Sequence, residues 1–396
     1  MITSIAIEHF KSIDKVELTL NNASIIVGQN ATGKSNFIDA FRFLKDAVAY
    51  DIDRAVSDRH GIDSLRQWSP SRPYHITISV AFKVQHGSGQ FSLTLGSSKG
   101  KYRIIKEEGS VVRRYRANDQ DTSGESKHEH FLYHRDQNGR VELNINRDGH
   151  PRIYSANIDN VDELFIQPSG VDSLSRGISS LGIIRRALGG FEAYSIFPNI
   201  LRAPQTPSNE TRLSSSGDNW TSIFRGLQRT KRGIDAREEI ISSLKRVMPQ
   251  LDNINIQSLG GLMVPIFRIR EHDGRLHNYN VSQVSDGTLR VLGILTALYQ
   301  PNRPDVLALE EPEQTVHPAV VSLLADAIRD VSEETQIILT THSPELLDRF
   351  DPEQVIACTM ENGVTHLGRV SKRQRQAVRD NLFSLGELMS VEGLEA

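Results

Sequence analysis

Apolar and polar positions alternate from the start of the chain. Ile2, Ile5 and Ile7, then Val16, Leu18 and Leu20, interleave with polar residues and predict two half-buried strands over residues 2–20. Ser24-Ile25-Ile26-Val27 is a short apolar run, the mark of a strand buried on both faces. After residue 34 the period changes. Phe37, Ile38, Ala40, Phe41, Phe43 and Leu44 fall at helical spacing, predicting a helix to about Tyr50. Residues 74–146 read as strand-rich, with alternation over 74–82 and shorter candidates at 91–95, 102–105 and 141–145. Residues 117–130 are polar and predict a mobile loop.

Residues 159–250 predict a mostly helical stretch with breaks. Apolar helical spacing covers 171–188 and 235–248, while Pro198, Pro204, Pro207 and the Ser-Ser-Ser-Gly run at 214–217 mark irregular connections. Strands resume at 254–256 and 264–269. There is no internal repeat and no sustained heptad, so a long coiled-coil arm is excluded. The expected class is α/β. The chain divides into residues 1–158, with a strand-rich lobe, an inserted helical lobe at 159–250, and residues 251–396.

Between the apolar run and the first helix stands Gly28-Gln29-Asn30-Ala31-Thr32-Gly33-Lys34-Ser35, which fits the phosphate-binding loop G-x-x-x-x-G-K-[ST]. Strand, glycine-rich loop and helix is the context that motif needs. Glycines let the backbone wrap an oligophosphate, whose negative charge meets loop amides and a helix N-terminus. Lys34 would reach the β- and γ-phosphates of ATP and the Ser35 hydroxyl would ligate Mg²⁺. Asn36, next along, is counted with the nucleotide-binding stretch.

Three further stretches carry candidate chemistry. Residues 305–309 are an apolar strand that ends in Glu310 and Glu311. At this strand end P-loop NTPases place the carboxylate that holds Mg²⁺, here Glu310, and Glu311 is placed to polarise the attacking water. Residues 336–341 form a second apolar run followed by His342, at the strand end where open α/β sheets bind ligands. From there His342 could sense the γ-phosphate. Ser285-Asp286-Gly287-Thr288 precedes an apolar helix that stops near Pro301. Ser285 is a natural N-cap and Gly287 permits close backbone approach, which makes a second anion-binding terminus.

Composition narrows the class. Hydrophobic residues make up 38% and charged residues 24%, enough for a sizeable core. The net charge of -3 argues against a generic nucleic-acid coat, though local basic clusters occur at residues 113–116, 229–232 and 372–375. One cysteine, Cys358, excludes a disulfide framework and a cysteine metal site. His128 and His130 have no companions that complete a ligand set, so a solvated loop is the reading there. Asp51-Ile52-Asp53 reads as a solvated helix terminus. No run of apolar residues approaches a membrane span and no leader pattern opens the chain, so the expectation is a reduced, cytoplasmic protein without a membrane partner.

The order of these motifs resembles the ABC-type ATPases of the RecF, SMC and OLD group. Val284 to Thr288 resembles the ABC signature. Glu311-Pro312-Glu313-Gln314-Thr315-Val316-His317-Pro318 fits the group's Walker B and D-loop region, and residues 381–388 resemble its C-terminal tail. The likeness runs through residues 2–390 and points to compact prokaryotic ATPases with an OLD-like head, many from antiphage or toxin–antitoxin modules. It implies an ABC-type head whose two copies pair head to tail around two ATPs. Lys34 and Ser35 of one chain would then face Ser285 and Gly287 of the other. It also implies a glutamine that helps hold Mg²⁺, for which Gln67 is the candidate. OLD nucleases add a Toprim domain, and the stretch after His342 is too short for one. The expected role is a nucleotide-gated dimer acting as the regulatory subunit of an antiphage complex, with a separate nuclease or toxin as effector. The alternative is a RecF-like repair ATPase that binds duplex DNA. A metabolic kinase is disfavoured, since a kinase has no use for the signature.

Overall fold

The chain enters its main sheet through β1 (Ile2–Phe10) and β2 (Ile13–Thr19), antiparallel to each other, and then β3 (Ala23–Val27), buried at all five positions. The computed structural model describes residues 1–69, 73–85, 87–98, 100–115, 127–157, 164 and 178–395. After β3 come the P-loop and its helix, Lys34–Ala49. Next is a run of antiparallel strands: β4 (Ile76–Val84), β5 (Gly87–Ser98), β6 (Lys101–Tyr115), β7 (Lys127–Asp136), β8 (Arg140–Arg147) and β9 (His150–Asn157). The second half supplies β10 (Phe191–Tyr194), β14 (Val306–Glu310), β15 (Gln336–Thr341), β16 (Val355–Glu361) and β17 (Val364–Arg369). Between β10 and β14, a separate small sheet is built from β11 (Leu251–Leu259), β12 (Leu262–Arg270) and β13 (Leu276–Asn280).

The main sheet has 14 strands, in the order β10-β14-β15-β3-β16-β17-β2-β1-β4-β5-β6-β7-β8-β9. Its first five strands are mutually parallel. Parallel strands covered on both faces must be apolar throughout, and β14 shows the consequence. Val306 and Ala308 enter the cluster that holds the P-loop helix. Leu307 and Leu309 enter the cluster on the other face, with the helix Asp286–Tyr299. The loops that leave the C-terminal ends of β3, β14 and β15 carry the P-loop, Glu311 and His342, so this topology gathers three candidate stretches at one edge of the sheet.

Three expectations change. Residues 117–126 of the expected loop lie outside the described residues, but 127–130 open β7. His128 and His130 are exposed on that strand while Glu129 is buried. Glu129 accepts from Arg113 and Arg147 at 2.9 and 2.5 Å and from Ser180 at 2.9 Å. A buried charge on the inner face hid the alternation. No cluster that could hold a metal occurs among the described residues. Next, the stretch expected to be helical also gives the sheet its edge strand, β10, which is too short to declare itself in sequence. Of residues 171–188, the part before 178 lies outside the described residues, and the rest belongs to the helix Ile178–Gly189. Last, β9 was not foreseen, because most of its residues are exposed and no apolar face marks it. Among the described residues, no helix is long and apolar enough to cross a membrane.

Candidate functional site

The P-loop is shaped by close approach. A Cβ on Gly28 would lie 2.1 Å from the Cys358 carbonyl oxygen. One on Gly33, at φ +101°, would lie 2.0 Å from Thr365 Oγ1. Ala31 also takes a left-handed φ of +64°, so the loop turns sharply with Gln29, Asn30 and Ala31 exposed at its tip. The fold of the loop is held from behind. Thr32 Oγ1 donates to the Gln29 carbonyl at 2.9 Å, and the Thr32 carbonyl accepts from Thr365 Oγ1 at 2.8 Å. Asn36 Nδ2 donates to Ser12 Oγ at 2.7 Å, which lies 2.6 Å from Thr365 Oγ1. The Asn36 amide therefore ties the P-loop helix to the β1–β2 turn.

Lys34 is only 5% exposed, and its Nζ donates to the Gly28 and Gln29 carbonyls at 2.8 and 2.9 Å. The same Nζ lies 3.4 Å from Glu311 Oε1. Glu311 itself sits at φ +44°, a strained position for a residue with a side chain. Two bonds hold it there. Its N–H donates to the Thr340 carbonyl at 2.9 Å, and its own carbonyl accepts from Arg290 Nη2 at 2.9 Å. Gln314 Nε2 donates to Glu311 Oε2. His342 Nδ1 lies 3.5 Å from that oxygen and 3.6 Å from Glu313 Oε1, beyond good hydrogen-bond reach. Glu313 is buried. Its Oε1 accepts from Thr341 Oγ1 at 2.6 Å and from the His342 N–H at 3.1 Å, while its Oε2 and the His342 Nδ1 are buried without hydrogen bonds among the described residues. Such unmade bonds are costly in an interior.

Glu310 faces the P-loop helix. Its Oε1 accepts from Arg42 Nη2 and from Ser195 Oγ, the latter at 3.1 Å. Ser285 caps its helix by accepting from the Thr288 N–H at 3.2 Å, and Asp286 pairs with Arg202 Nη2 at 2.5 Å. A Cβ on Gly287 would lie 3.0 Å from the Thr315 carbonyl oxygen, so the signature glycine packs on the turn that follows Glu311. Among the described residues, no hydrogen bond or ion pair joins residues 285–288 to the P-loop of the same chain. Gln67 lies beside the β1–β2 turn. Its N–H donates to the His9 carbonyl at 2.9 Å, and its Oε1 is buried without a partner. No bond joins it to Ser35 or Glu310 among the described residues.

The structure thus brings Lys34, Glu311 and His342 together and leaves the signature and Gln67 without a bond to them. Sequence reasoning passes over Arg42, Ser195, Ser12 and Thr365, and gives Glu313 and Arg290 no role of their own. One signal was present for Arg290, a charged residue inside the apolar run Leu289-Arg290-Val291-Leu292, since a charge in a buried helix needs a partner. Burial pushes the Arg290 guanidinium below its ordinary value, and the Glu313 and Glu311 carboxylates oppose that shift. The residues fit an oligophosphate with a divalent cation. The turn of the loop presents backbone amides, Lys34 stands at its mouth, and the exposed Ser35 hydroxyl makes no hydrogen bond among the described residues.

Residues 24–348 match the family described as "AAA domain, putative AbiEii toxin, Type IV TA system", and the chain belongs to that family. The endonuclease GajA of Bacillus cereus (strain VD045) is 24% identical over 421 residues, covering 99% of this chain and 65% of the relative. The chain therefore spans about two thirds of that relative's length. Among solved structures, an Smc head bound to the C-winged helix domain of ScpA superposes with a TM-score of 0.50 at 14% identity, over 95% of this chain and 99% of that one. The SMC head domain from Thermotoga maritima gives 0.43 at 14% identity, over 93% and 99%. The fold is that of an SMC-head, ABC-type P-loop ATPase.

Proposed function

We propose that this AAA-domain family member hydrolyses ATP as one half of a head-to-tail dimer and works as a nucleotide-gated switch. One observation carries the reading. The Glu311 carboxylate stands 3.4 Å from Lys34 Nζ and beside His342, while the signature of the same chain makes no bond to that loop. One chain then holds a hydrolytic edge that lacks its γ-phosphate cap. Ser285 and Gly287 of a second copy supply it.

In this reading Lys34 leaves the loop carbonyls for the β- and γ-phosphates. Ser35 and Glu310 would hold the Mg²⁺, which when bound would neutralise charge on the phosphates. Glu311 accepts the proton of a water whose oxygen attacks the γ-phosphorus, as the bond to the ADP oxygen breaks. His342 donates to the γ-phosphate side. Binding that is stronger in the closed dimer shifts the open–closed equilibrium, and loss of the γ-phosphate reverses it.

For the biological role we infer a regulatory ATPase of an antiphage system with a separate effector, supported by the family's toxin description and the likeness to a protein named as an endonuclease. The RecF-like alternative, direct duplex binding, leans on the basic clusters, and two of these are partly neutralised. Arg113 pairs with Glu129. Arg373 pairs with Glu392 and Glu395, and Arg375 pairs with Glu353. Arg229, Lys231 and Arg232 carry no ion pair among the described residues.

The test uses Glu311→Gln and Lys34→Ala. Glu311→Gln is expected to bind ATP, stall turnover and run as a dimer in size-exclusion chromatography with ATP, whereas Lys34→Ala stays monomeric. Parent-level ATPase in Glu311→Gln would remove Glu311 as the base. Co-expression with the adjacent gene, run with and without ATP, tests the effector. A partnerless protein that binds duplex DNA with a steep salt dependence supports the alternative.

A further inference from the structure

The P-loop helix is bolted to the sheet beside Glu310. Arg42 Nη2 donates to Glu310 Oε1 and lies 3.3 Å from Ser195 Oγ, which itself donates to that same Oε1 at 3.1 Å. One turn along the helix, Lys45 Nζ meets Glu192 Oε2 at 2.7 Å. Glu310 and Arg42 are both largely shielded, with side chains 16% and 29% exposed. A glutamate here has one more free torsion than the aspartate usual at this strand end, so its carboxylate needs something to fix it. Two donors on one oxygen do so, and among the described residues the other oxygen accepts no hydrogen bond.

We propose that Arg42 and Ser195 are the positioning pair for the Glu310 carboxylate. They fix Oε1 and leave Oε2 as the carboxylate oxygen that would hold nucleotide-bound Mg²⁺, and so set how tightly the cation is held. The proposal rests on the ATPase reading above. It also links that site to the inserted lobe expected at residues 159–250. Ser195 directly follows β10, and its N–H donates to the Ser215 carbonyl at 2.9 Å. A shift of residues 195–215 would therefore be felt at the carboxylate that faces the cation.

Binding, not turnover, is the readout. The affinity of each protein for a fluorescent ATP analogue is measured in excess Mg²⁺ and in EDTA, and the ratio is the Mg²⁺ gain. Arg42→Ala is expected to lose about tenfold of that gain or more, with the EDTA affinity unchanged, since groups that orient a metal-facing ligand are typically worth ~10–100-fold. Ser195→Ala loses a smaller factor, and Arg42→Lys recovers most of the loss. In a Glu310→Gln background Arg42→Ala adds nothing, because Arg42 acts through Glu310. A parent-level gain in a folded Arg42→Ala reduces the bond to a helix-to-sheet tie and overturns the proposal. A larger gain would make Arg42 a competitor of the cation, which also overturns it. If Arg42→Ala does not fold, Ser195→Ala decides alone, and an unchanged gain there overturns the proposal. Failure of the ATPase reading looks different, since the parent and Lys34→Ala would then bind the analogue equally in both conditions.

Discussion

Arg290 Nη2 donates to the carbonyl oxygen of Glu311 at 2.9 Å, from a side chain only 4% exposed. Arg290 is on the helix that begins at the signature, and Glu311 is the carboxylate set against the P-loop lysine. Because Glu311 sits at φ +44°, this bond helps hold a strained turn that the free chain would leave. Arg290→Met is expected to cost about 1.5–3 kcal/mol of stability, the usual worth of a hydrogen bond to a charged group, measured by urea denaturation. It should lower turnover more than nucleotide affinity, with Arg290→Lys in between. Loss of affinity with turnover unchanged would detach Arg290 from Glu311.

A second charged knot secures the P-loop helix. Asp39 accepts from Lys11 Nζ at 2.7 Å and from Arg59 Nε and Nη2 at 3.0 and 2.9 Å, and Arg59 also reaches Asp46 at 2.9 Å. Burial pushes the Asp39 carboxyl up, but the bonds from Arg59 and Lys11 outweigh it and hold Asp39 below its ordinary value. A carboxylate lowered on folding contributes stability that is fully present above the unfolded pKa and is lost as pH falls through the folded one. Asp39→Asn is thus expected to be about 3 kcal/mol less stable at pH 7, near the low end for breaking a buried pair. The gap between parent and variant should narrow only below about pH 4. Denaturant melts over a pH series check this, and a gap that widens toward acid would reverse the assignment.

These two knots show what could be read from the chain alone. The P-loop, the strands that end at Glu310 and Thr341, and the Ser285 cap are local patterns. Strands buried on both faces read as apolar runs, and caps and loops are set by a few adjacent residues. The clamp on Glu310 joins residues 268 and 115 apart in sequence, and the Thr365 bond behind the P-loop spans 333. No period or spacing encodes such pairs. β7 was misread at its start because its inward position is Glu129, a charge whose partners Arg113 and Arg147 come from neighbouring strands. β10 was missed because a four-residue strand between helices has no room to show alternation.

His342 bears a specific expectation. Its backbone N–H is held by Glu313 Oε1 at 3.1 Å, while Nδ1 waits 3.5 Å from Glu311 Oε2 without a hydrogen bond. The backbone is fixed and the ring is left to act. His342→Ala should therefore lower kcat by roughly tenfold or more, the scale of one lost charge-stabilising donor or less, with nucleotide affinity little changed. Single-turnover hydrolysis beside equilibrium binding separates the two, and a large affinity loss with unchanged turnover would make His342 a structural residue.

The shared site is the expectation on which the dimer stands. Gly287 packs on the turn after Glu311, so residues 285–288 are seated against the Glu311 loop of their own chain, yet among the described residues Ser285 and Gly287 make no hydrogen bond or ion pair to their own P-loop. The expectation that follows from the proposed dimer is that the P-loop of another copy presents the γ-phosphate to this helix N-terminus. Lys34→Ala removes a phosphate-binding half and Ser285→Arg blocks a capping half, so each variant alone should be inactive. In a mixed dimer, one site joins the intact P-loop of the Ser285→Arg chain to the intact signature of the Lys34→Ala chain, and the other site carries both lesions. Mixtures should recover up to half of the parent ATPase per mixed dimer, less any cooperativity between the sites. The measurement is ATPase activity on heterodimers isolated with two affinity tags. No recovery in confirmed heterodimers would mean that the sites are not composite. Full activity in Ser285→Arg alone would mean that the signature plays no part in hydrolysis.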